Sequence, residues 1–184
     1  YKAIIATNSE RAIDILKNSP DSRRIVVTAW NPSVLDEIAL PSCHSFFIFN
    51  VINGKLNCHL TQRSGDIGLG IPFNLACYAA LTQMIAQEVD LDLGEFSHYI
   101  NDAHIYVNHI DGLKEQLERE PMDLPNLTIA KKPFWDLEFD DFKLENYYGE
   151  EVFHIDEILT LIPYGPGKDD YNIWFYNPVC EDVD

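Results

Sequence analysis

Positive charge is scarce in this chain of 184 residues. It has 13 lysine and arginine residues against 30 aspartate and glutamate residues, which gives a formal net charge of −17. A surface this acidic repels the phosphate backbone of nucleic acids, so nucleic acid is not expected as a general partner. Any anionic ligand has to be met by a local cluster of cations.

Cysteine and long apolar runs are scarce too. The four cysteines form no CxxC pair, which argues against a disulfide framework and favours a reducing, cytoplasmic compartment. The most apolar window, residues 69–86, is interrupted by proline and polar residues, so it predicts a buried helix and no membrane span. No secretory signal is visible, and no cysteine or acidic residue stands at ligand spacing from a histidine, so we expect no metal.

The elements that are present alternate between helix and strand signals. "NSERAIDILKNSPDSRR" predicts a helix with Asn8 or Ser9 as its cap and Pro20 at its end. "RIVVTAW" predicts a strand and "NPSVLDEIAL" a short helix. Two apolar runs flank Asn53 and Gly54, the strongest short-range signal for a β-hairpin.

The second half continues the same pattern. "GLGIPFNLACYAALTQMIAQEV" predicts a long helix that is apolar nearly all round and therefore buried. "GEFSHYINDAHIYV" predicts a strand, "NHIDGLKEQLERE" a surface helix, "LTIA" a short strand and "YGPGKDD" a turn. Since no repeat or linker interrupts the chain, we expect one α+β domain over residues 1–184.

The segment "QRSGDIGLG", residues 62–70, is the first candidate for chemistry. Arg63 and Ser64 form a natural phosphate clamp, since the guanidinium fork matches two phosphate oxygens, and the glycines allow close approach of a ligand. An ordinary strand-to-helix loop explains the same residues. Asn74 in the following helix can read a ligand that offers a carbonyl beside an N–H, or simply bond at the helix end.

Two further groups are weaker candidates. Arg23 and Arg24 are adjacent, so on a strand they point oppositely and reach one phosphate only at a bend or across an interface. His104 and Tyr106 stand two residues apart, which predicts a shared strand face from which both could bind a hydroxyl group.

Cys43 in "LPSCHSFF" has three possible fates: a nucleophile, a metal ligand or a packed thiol. His44 faces the opposite side of an extended strand, which weakens a simple cysteine–histidine dyad. A different cation must then lower the pKa of the thiol, and Arg63 is the best candidate.

Taken together, these segments resemble one known family. "RRIVVTAWNPSVLDEIALPSCH", "QRSGDIGLGIPFNLACYAALTQMIAQ", "DAHIYVNHIDGLKEQLEREP" and "LPNLTI" resemble thymidylate synthases in the same order and with the same spacing, over roughly residues 9–130. The resemblance implies a three-layer α+β fold whose mixed sheet forms a homodimer interface. It also implies transfer and reduction of a one-carbon unit from 5,10-methylenetetrahydrofolate to C5 of dUMP, giving dTMP and dihydrofolate.

The resemblance implies residue roles as well. Cys43 would add to C6 of the uracil ring, and Arg23 and Arg24 would complete the phosphate site of the partner subunit. The implied catalytic residues are Cys43, Arg63, Asn74, Asp66 and His44. The implied dUMP-binding residues are Arg23, Arg24, Gln62, Arg63, Ser64, Asp66, Asn74, His104 and Tyr106. The implied folate-binding residues are Asp66, Leu69, Gly70 and Phe73.

The sequence also departs from the family pattern. The family's N-terminal segment is expected to be missing before Tyr1, and the residues from about 149 onward form an atypical C-terminal extension. Gly65 stands where close relatives often have cysteine or alanine, and Asn101 where they have glycine. Two alternatives therefore stay open: a dUMP hydroxymethylase, in which water ends the reaction, and a catalytically inactive nucleotide-binding relative.

Overall fold

The computed structural model describes residues 2–38 and 40–147, with side chains from residue 9 onward. Their contacts form two compact units. The first contains the described residues up to Ile105 and from Pro121 onward, and the second contains Tyr106–Glu120. The predicted C-terminal extension and the "YGPGKDD" turn lie outside the described residues.

A four-stranded mixed sheet organises the first unit, in the spatial order β1-β2-β3-β4. Strand β2 runs antiparallel to both of its neighbours, β1 and β3, whereas β4 runs parallel to β3. The strands are β1 (Val26–Thr28), β2 (His44–Ile52), β3 (Lys55–Asp66) and β4 (Asp92–His104). The expectation of an α+β fold with a mixed sheet is thus confirmed.

The turn between β2 and β3 is the predicted hairpin. Asn53 (φ 53°) and Gly54 (φ 75°) both have positive φ, and Ile52 pairs with Lys55 on either side of them. Such two-residue turns match the right-handed twist of the flanking strands, and Asn-Gly tolerates the backbone that they need. The turn sets the register of β2 on β3.

Helix α1 (Lys2–Asn18) begins earlier than the sequence predicted. Asn8 and Ser9 lie inside it, so the prediction that one of them caps the helix is wrong. The alanine and isoleucine residues before them are compatible with helix, and Asn and Ser are only mildly unfavourable in a helix interior. The helix does end before Pro20, as expected. The predicted short helix is a 3₁₀ helix, Pro32–Glu37, capped by the Asn31 side chain.

Helix α2 (Gly70–Glu88) connects the two parallel strands β3 and β4. One stripe of it joins α1 and the sheet in a single apolar core. Tyr78, Ile85 and Ala86 belong to this core, and Ile71 and Thr82 are also buried on the same helix. Phe73 and Leu75 are 66% and 42% exposed in the chain, so the prediction of burial on nearly all sides is wrong. A helix against one sheet buries one face only, and its composition alone does not say which face.

A second, two-stranded sheet follows the second unit in sequence and belongs to the first. It pairs β5 (Asn126–Ile129) with β6 (Phe142–Glu145), and two 3₁₀ helices, Phe134–Asp136 and Phe139–Asp141, connect the strands. Side chains of α2 hold this hairpin. Gln83 and Gln87 donate hydrogen bonds to the carbonyls of Leu127 (2.9 Å) and Ala130 (2.8 Å).

The described part of the second unit is short. It contains a 3₁₀ helix, Val107–His109, and helix α3 (Ile110–Leu117), within the range predicted for a surface helix. Arg119 pairs with Glu115 four residues earlier. Among the described residues of the chain, no helix is both long enough and apolar enough to cross a membrane.

Glu88 at the end of α2 joins three elements of the first unit. Its carboxylate accepts hydrogen bonds from Lys17 Nζ of α1 and from the backbone N–H of Phe134. The bond from Lys17 is the main reason that the pKa of Glu88 lies below its ordinary value, and the bond from Phe134 lowers that pKa further.

We expect Glu88→Gln to lower the free energy of unfolding by about 1 kcal/mol at neutral pH. Because the pKa of Glu88 is depressed in the folded state, its stabilising effect is complete above the ordinary value of 4.5 and is lost as pH falls through the folded-state pKa. Urea titrations of both proteins at several pH values should show the stability difference shrinking on acidification. Glu10→Gln, an exposed position on α1, is the control; a difference that is independent of pH contradicts the assignment.

Candidate active site

The carboxyl ends of β3 and β4 bring several candidate residues to one edge of the sheet. Because these strands are parallel neighbours, Ser64 lies beside Asp102, and Asp66 lies beside His104. The backbone N–H of Ile67 donates to the carbonyl of His104 at 2.9 Å. Helix α2 begins directly after β3, so its N-terminal residues lie at the same edge.

Cys43 is held to this edge by Arg63. The backbone N–H of Arg63 donates to the Cys43 carbonyl at 2.8 Å. Its guanidinium donates from Nε to the carbonyl of Ser42 (3.1 Å) and from Nη2 to that of Pro41 (2.8 Å). Arg63 therefore fastens the loop that carries the half-buried Cys43, and since a guanidinium has five N–H donors, it retains others for an anion.

A small cleft opens beside the Cys43 loop. Its volume is about 240 Å³, and Trp30, Asn31, Val34, Leu35 and Ser42 contribute to its walls. The guanidinium carbon of Arg63 lies 6.0 Å from the centre of the Trp30 ring. At this distance the aromatic face attracts the cation and helps to hold Arg63 in place.

His44 occupies the first position of β2, opposite Gln62 of β3. Its ring meets Tyr78 of α2 edge to face, with 5.8 Å between ring centres. Burial lowers the pKa of His44, which favours the neutral imidazole at physiological pH.

Asn74 and Gln62 are joined by a hydrogen bond. Gln62 is 2% exposed, and its Nε2 donates to Asn74 Oδ1 (3.0 Å) and to the backbone carbonyl of Ser64 (2.8 Å). The Asn74 amide, in the first turn of α2, is thereby held by β3. Gln62 was expected to bind substrate, and its buried side chain meets other protein groups in this structure.

The residues expected to bind folate lie around the start of α2. Asp66 Oδ1 accepts a hydrogen bond from the backbone N–H of Gly68 at 3.0 Å, and Leu69 occupies the helix cap position. A methyl group added at Gly70 would touch Asp66 Cβ at 3.7 Å, so the two residues are in close proximity. Phe73, in the first turn, presents an exposed ring.

Arg23 and Arg24 lie elsewhere, in a turn just before β1. The N–H of Phe49 donates to the Ile25 carbonyl, so Arg24 is level with Asn50, whereas Cys43 precedes the start of the same strand β2. At about 3.3 Å per residue, the two arginines are on the order of 20 Å from Cys43. Both side chains are exposed and cannot reach the Cys43 loop of their own chain.

His104 and Tyr106 do not share a strand face. Strand β4 ends at His104, and Tyr106 caps the 3₁₀ helix of the second unit, so the expectation based on strand alternation is wrong. Asp102 places a carboxylate oxygen 3.4 Å from His104 Nδ1. In the second unit, the Tyr106 ring packs edge to face on His109.

Sequence reasoning did not identify three residues that contact the candidate site. Trp30, His98 and Asp102 touch Arg63, Gln62 and His104 respectively. Strand alternation was a usable signal for two of them, since His98, Asp102 and His104 share one face of β4. Trp30 carries no local signal, because its contact with Arg63 depends on the packing of two distant segments.

Histidine, cysteine, aspartate and glutamate side chains are common metal ligands in proteins, and several of them occur within residues 2–38 and 40–147. No group of three histidine, cysteine, aspartate or glutamate side chains there is arranged to hold a metal ion.

Comparison with known proteins gives the class of this chain. The sequence model of the thymidylate synthase family matches residues 6–157, which is most of the chain. The chain belongs to the thymidylate synthase family.

Its relatives include thymidylate synthases of two Listeria species. Those of Listeria monocytogenes serovar 1/2a and Listeria innocua are both 53% identical over 137 residues, which is 73% of this chain and 44% of theirs. The bifunctional dihydrofolate reductase-thymidylate synthase of Paramecium tetraurelia is 54% identical over 136 residues, 29% of its length. The chain thus spans less than half the length of these relatives.

The environments of the thiols predict how they react. Cys58 is buried, and burial raises its pKa to about 11, whereas Cys43 is half-buried and Cys77 exposed. In a Cys77→Ser, Cys180→Ser background at pH 8, iodoacetamide should modify Cys43 at least about tenfold faster than Cys58, because about one Cys58 thiol in a thousand is ionised. Peptide mass spectrometry measures both rates.

Unfolding provides the control for this experiment. In concentrated urea both cysteines should react at similar rates, since the burial of Cys58 is lost. In the folded protein the rate at Cys58 should rise roughly tenfold per pH unit up to about pH 10, because its raised pKa of about 11 lies above this range. Equal rates for the two folded thiols at pH 8 would contradict the packing role of Cys58.

Proposed function

We propose that this chain is the substrate-binding and nucleophile-bearing part of a thymidylate synthase. It transfers a one-carbon unit from 5,10-methylenetetrahydrofolate to C5 of dUMP and takes part in its reduction to the methyl group of dTMP. The observation that carries the proposal is that Arg63 fastens the Cys43 loop to the end of β3, beside Ser64 and Asp66. The nucleophile Cys43, the phosphate-binding residues Arg63 and Ser64, and the carboxylate of Asp66 are then able to contact one and the same ligand.

The covalent step begins at Cys43. Its thiolate adds to C6 of the uracil ring, and the electron pair of the C5–C6 double bond moves toward C5 and the C4 carbonyl. The ring then resembles an enolate, so C5 can attack the methylene group carried by the folate. The Arg63 guanidinium is bonded to the carbonyls of residues 41 and 42 and so holds the loop that carries this thiol.

The remaining candidate residues bind and orient the two substrates. Arg63 and Ser64 hold the dUMP phosphate, and Asn74 reads the uracil edge. His104 holds the sugar hydroxyl. His44 belongs to the polar surroundings of the ring. Folate meets the start of α2, through Asp66, Leu69, Gly70 and Phe73.

The position of Arg23 and Arg24 supports a homodimer. Both are exposed and lie on the order of 20 Å from the Cys43 loop of their own chain. The apolar core and both long helices cover one face of the sheet, while Val26 and Tyr99 are 48% and 62% exposed. A second copy packed against that exposed sheet face would let each chain's arginine pair complete the phosphate site of the other chain. The compartment of this proposed dimer is the cytoplasm.

Product analysis tests the reaction. The protein containing this chain, supplied with dUMP and 5,10-methylenetetrahydrofolate, should release dTMP and dihydrofolate. Hydroxymethyl-dUMP with tetrahydrofolate would overturn the reductive step, and no turnover would overturn the enzymatic assignment. Cys43→Ala should lower kcat more than about 10³-fold, since the nucleophile is lost. Cys77→Ala, an exposed cysteine on α2, is the matched control and should retain activity.

Mixed dimers test the role of the arginine pair. An Arg23→Gln, Arg24→Gln chain and a Cys43→Ala chain should each be nearly inactive alone. After unfolding and refolding together in equal amounts, half of the dimers contain one of each, and one of their two sites is intact. About a quarter of the normal activity should return. Failure to recover activity, with dimers present by light scattering, would show that the arginines do not act across subunits.

A further inference from the structure

A line of hydrogen bonds runs from Asn74 into the sheet and ends at His98. Gln62 is its middle member: its Nε2 donates to Asn74 Oδ1 at 3.0 Å, and its Oε1 lies 2.9 Å from His98 Nε2. The same Nε2 donates to the backbone carbonyl of Ser64 at 2.8 Å. Gln62 is 2% exposed, so water does not compete for these bonds.

The Ser64 carbonyl fixes the polarity of the whole line. A backbone carbonyl can only accept a hydrogen bond, so the Gln62 atom that faces it must be the amide nitrogen. Oε1 of Gln62 therefore faces His98, and His98 Nε2 must carry the proton of that bond. The second N–H of Gln62 points at Asn74, which must answer with its oxygen, Oδ1.

We propose that His98 and Gln62 are positioning residues that lock the Asn74 amide with its nitrogen directed away from the sheet, toward the ligand. The inference rests on the function proposed above and names the residues that make the site select uracil as the nucleobase of its substrate. An amide held in this way offers N–H donors to the ring's C4 substituent, so it favours a carbonyl there, as in uracil. An amino group at that position, as in cytosine, has no lone pair to accept the bond.

The second nitrogen of His98 supports this assignment. Nδ1 is buried and has no hydrogen-bond partner within residues 2–38 and 40–147. A proton on Nδ1 would be a buried donor without an acceptor, which is unfavourable, so the ring takes the neutral form protonated at Nε2. Burial also lowers the pKa of His98, which favours the neutral ring. The ring lies beside Phe96 on the same face of β4.

Nuclear magnetic resonance tests the line without relying on turnover. In ¹⁵N-labelled protein at neutral pH, long-range ¹H–¹⁵N correlations should show His98 protonated at Nε2 and bare at Nδ1. Protonation at Nδ1 would overturn the proposal. If wild-type protein failed to bind dUMP while His98 kept the Nε2 proton, the function proposed above would fall and the hydrogen-bond line would stand.

Substitutions test the effect on base selection. His98→Phe removes the donor and keeps an aromatic ring; kcat/KM for dUMP should fall, and the preference for dUMP over dCMP should narrow about tenfold. His98→Gln, whose amide nitrogen can replace Nε2, should restore the preference. His59→Phe, an exposed histidine on β3, is the control. An unchanged preference in a folded His98→Phe protein, judged by its thermal transition, would overturn the positioning role.

Discussion

The parallel pairing of β3 with β4 is the constraint on which the rest of the structure depends. Parallel neighbours need a crossover, and α2 supplies it by running from the end of β3 back to the start of β4. Both strands therefore end at the same edge, where α2 also begins. Ser64, Asp66, Asn74 and His104 meet there for this reason; an antiparallel pair would have put His104 at the opposite end of the sheet.

The few cationic side chains of this acidic chain have two different kinds of partner. Lys17 pairs with Glu88 and joins α1 to α2, and Lys132 pairs with Asp141 within the connection between β5 and β6. Arg63 instead bonds backbone carbonyls, which carry no net charge, so its own charge stays available to attract an anion. In a chain with a formal net charge of −17, such a cation is what makes a phosphate site feasible.

Local chemistry explains which elements the sequence could predict. Asn53 and Gly54 define their turn through backbone preferences alone, so the hairpin followed from two residues. The prediction that α1 begins at Asn8 or Ser9 was wrong because both are common cap residues, whereas the apolar residues before them are equally compatible with a helix. The prediction that His104 and Tyr106 share a strand face was wrong because the end of a strand depends on its neighbour. Strand β3 ends at Asp66, which pairs with His104, so β4 does not extend to Tyr106.

The sequence by itself determined the family, most of the elements and the candidate residues, because short motifs, turn preferences and periodicity are written locally in the chain. Only the tertiary structure decided which of these residues act together. Arg63 meets the carbonyls of residues 41 and 42 across the β2–β3 hairpin, and Gln62 meets His98 on the next strand. These contacts span tens of residues, and their geometry arises from strand register and burial, which no short stretch of sequence encodes.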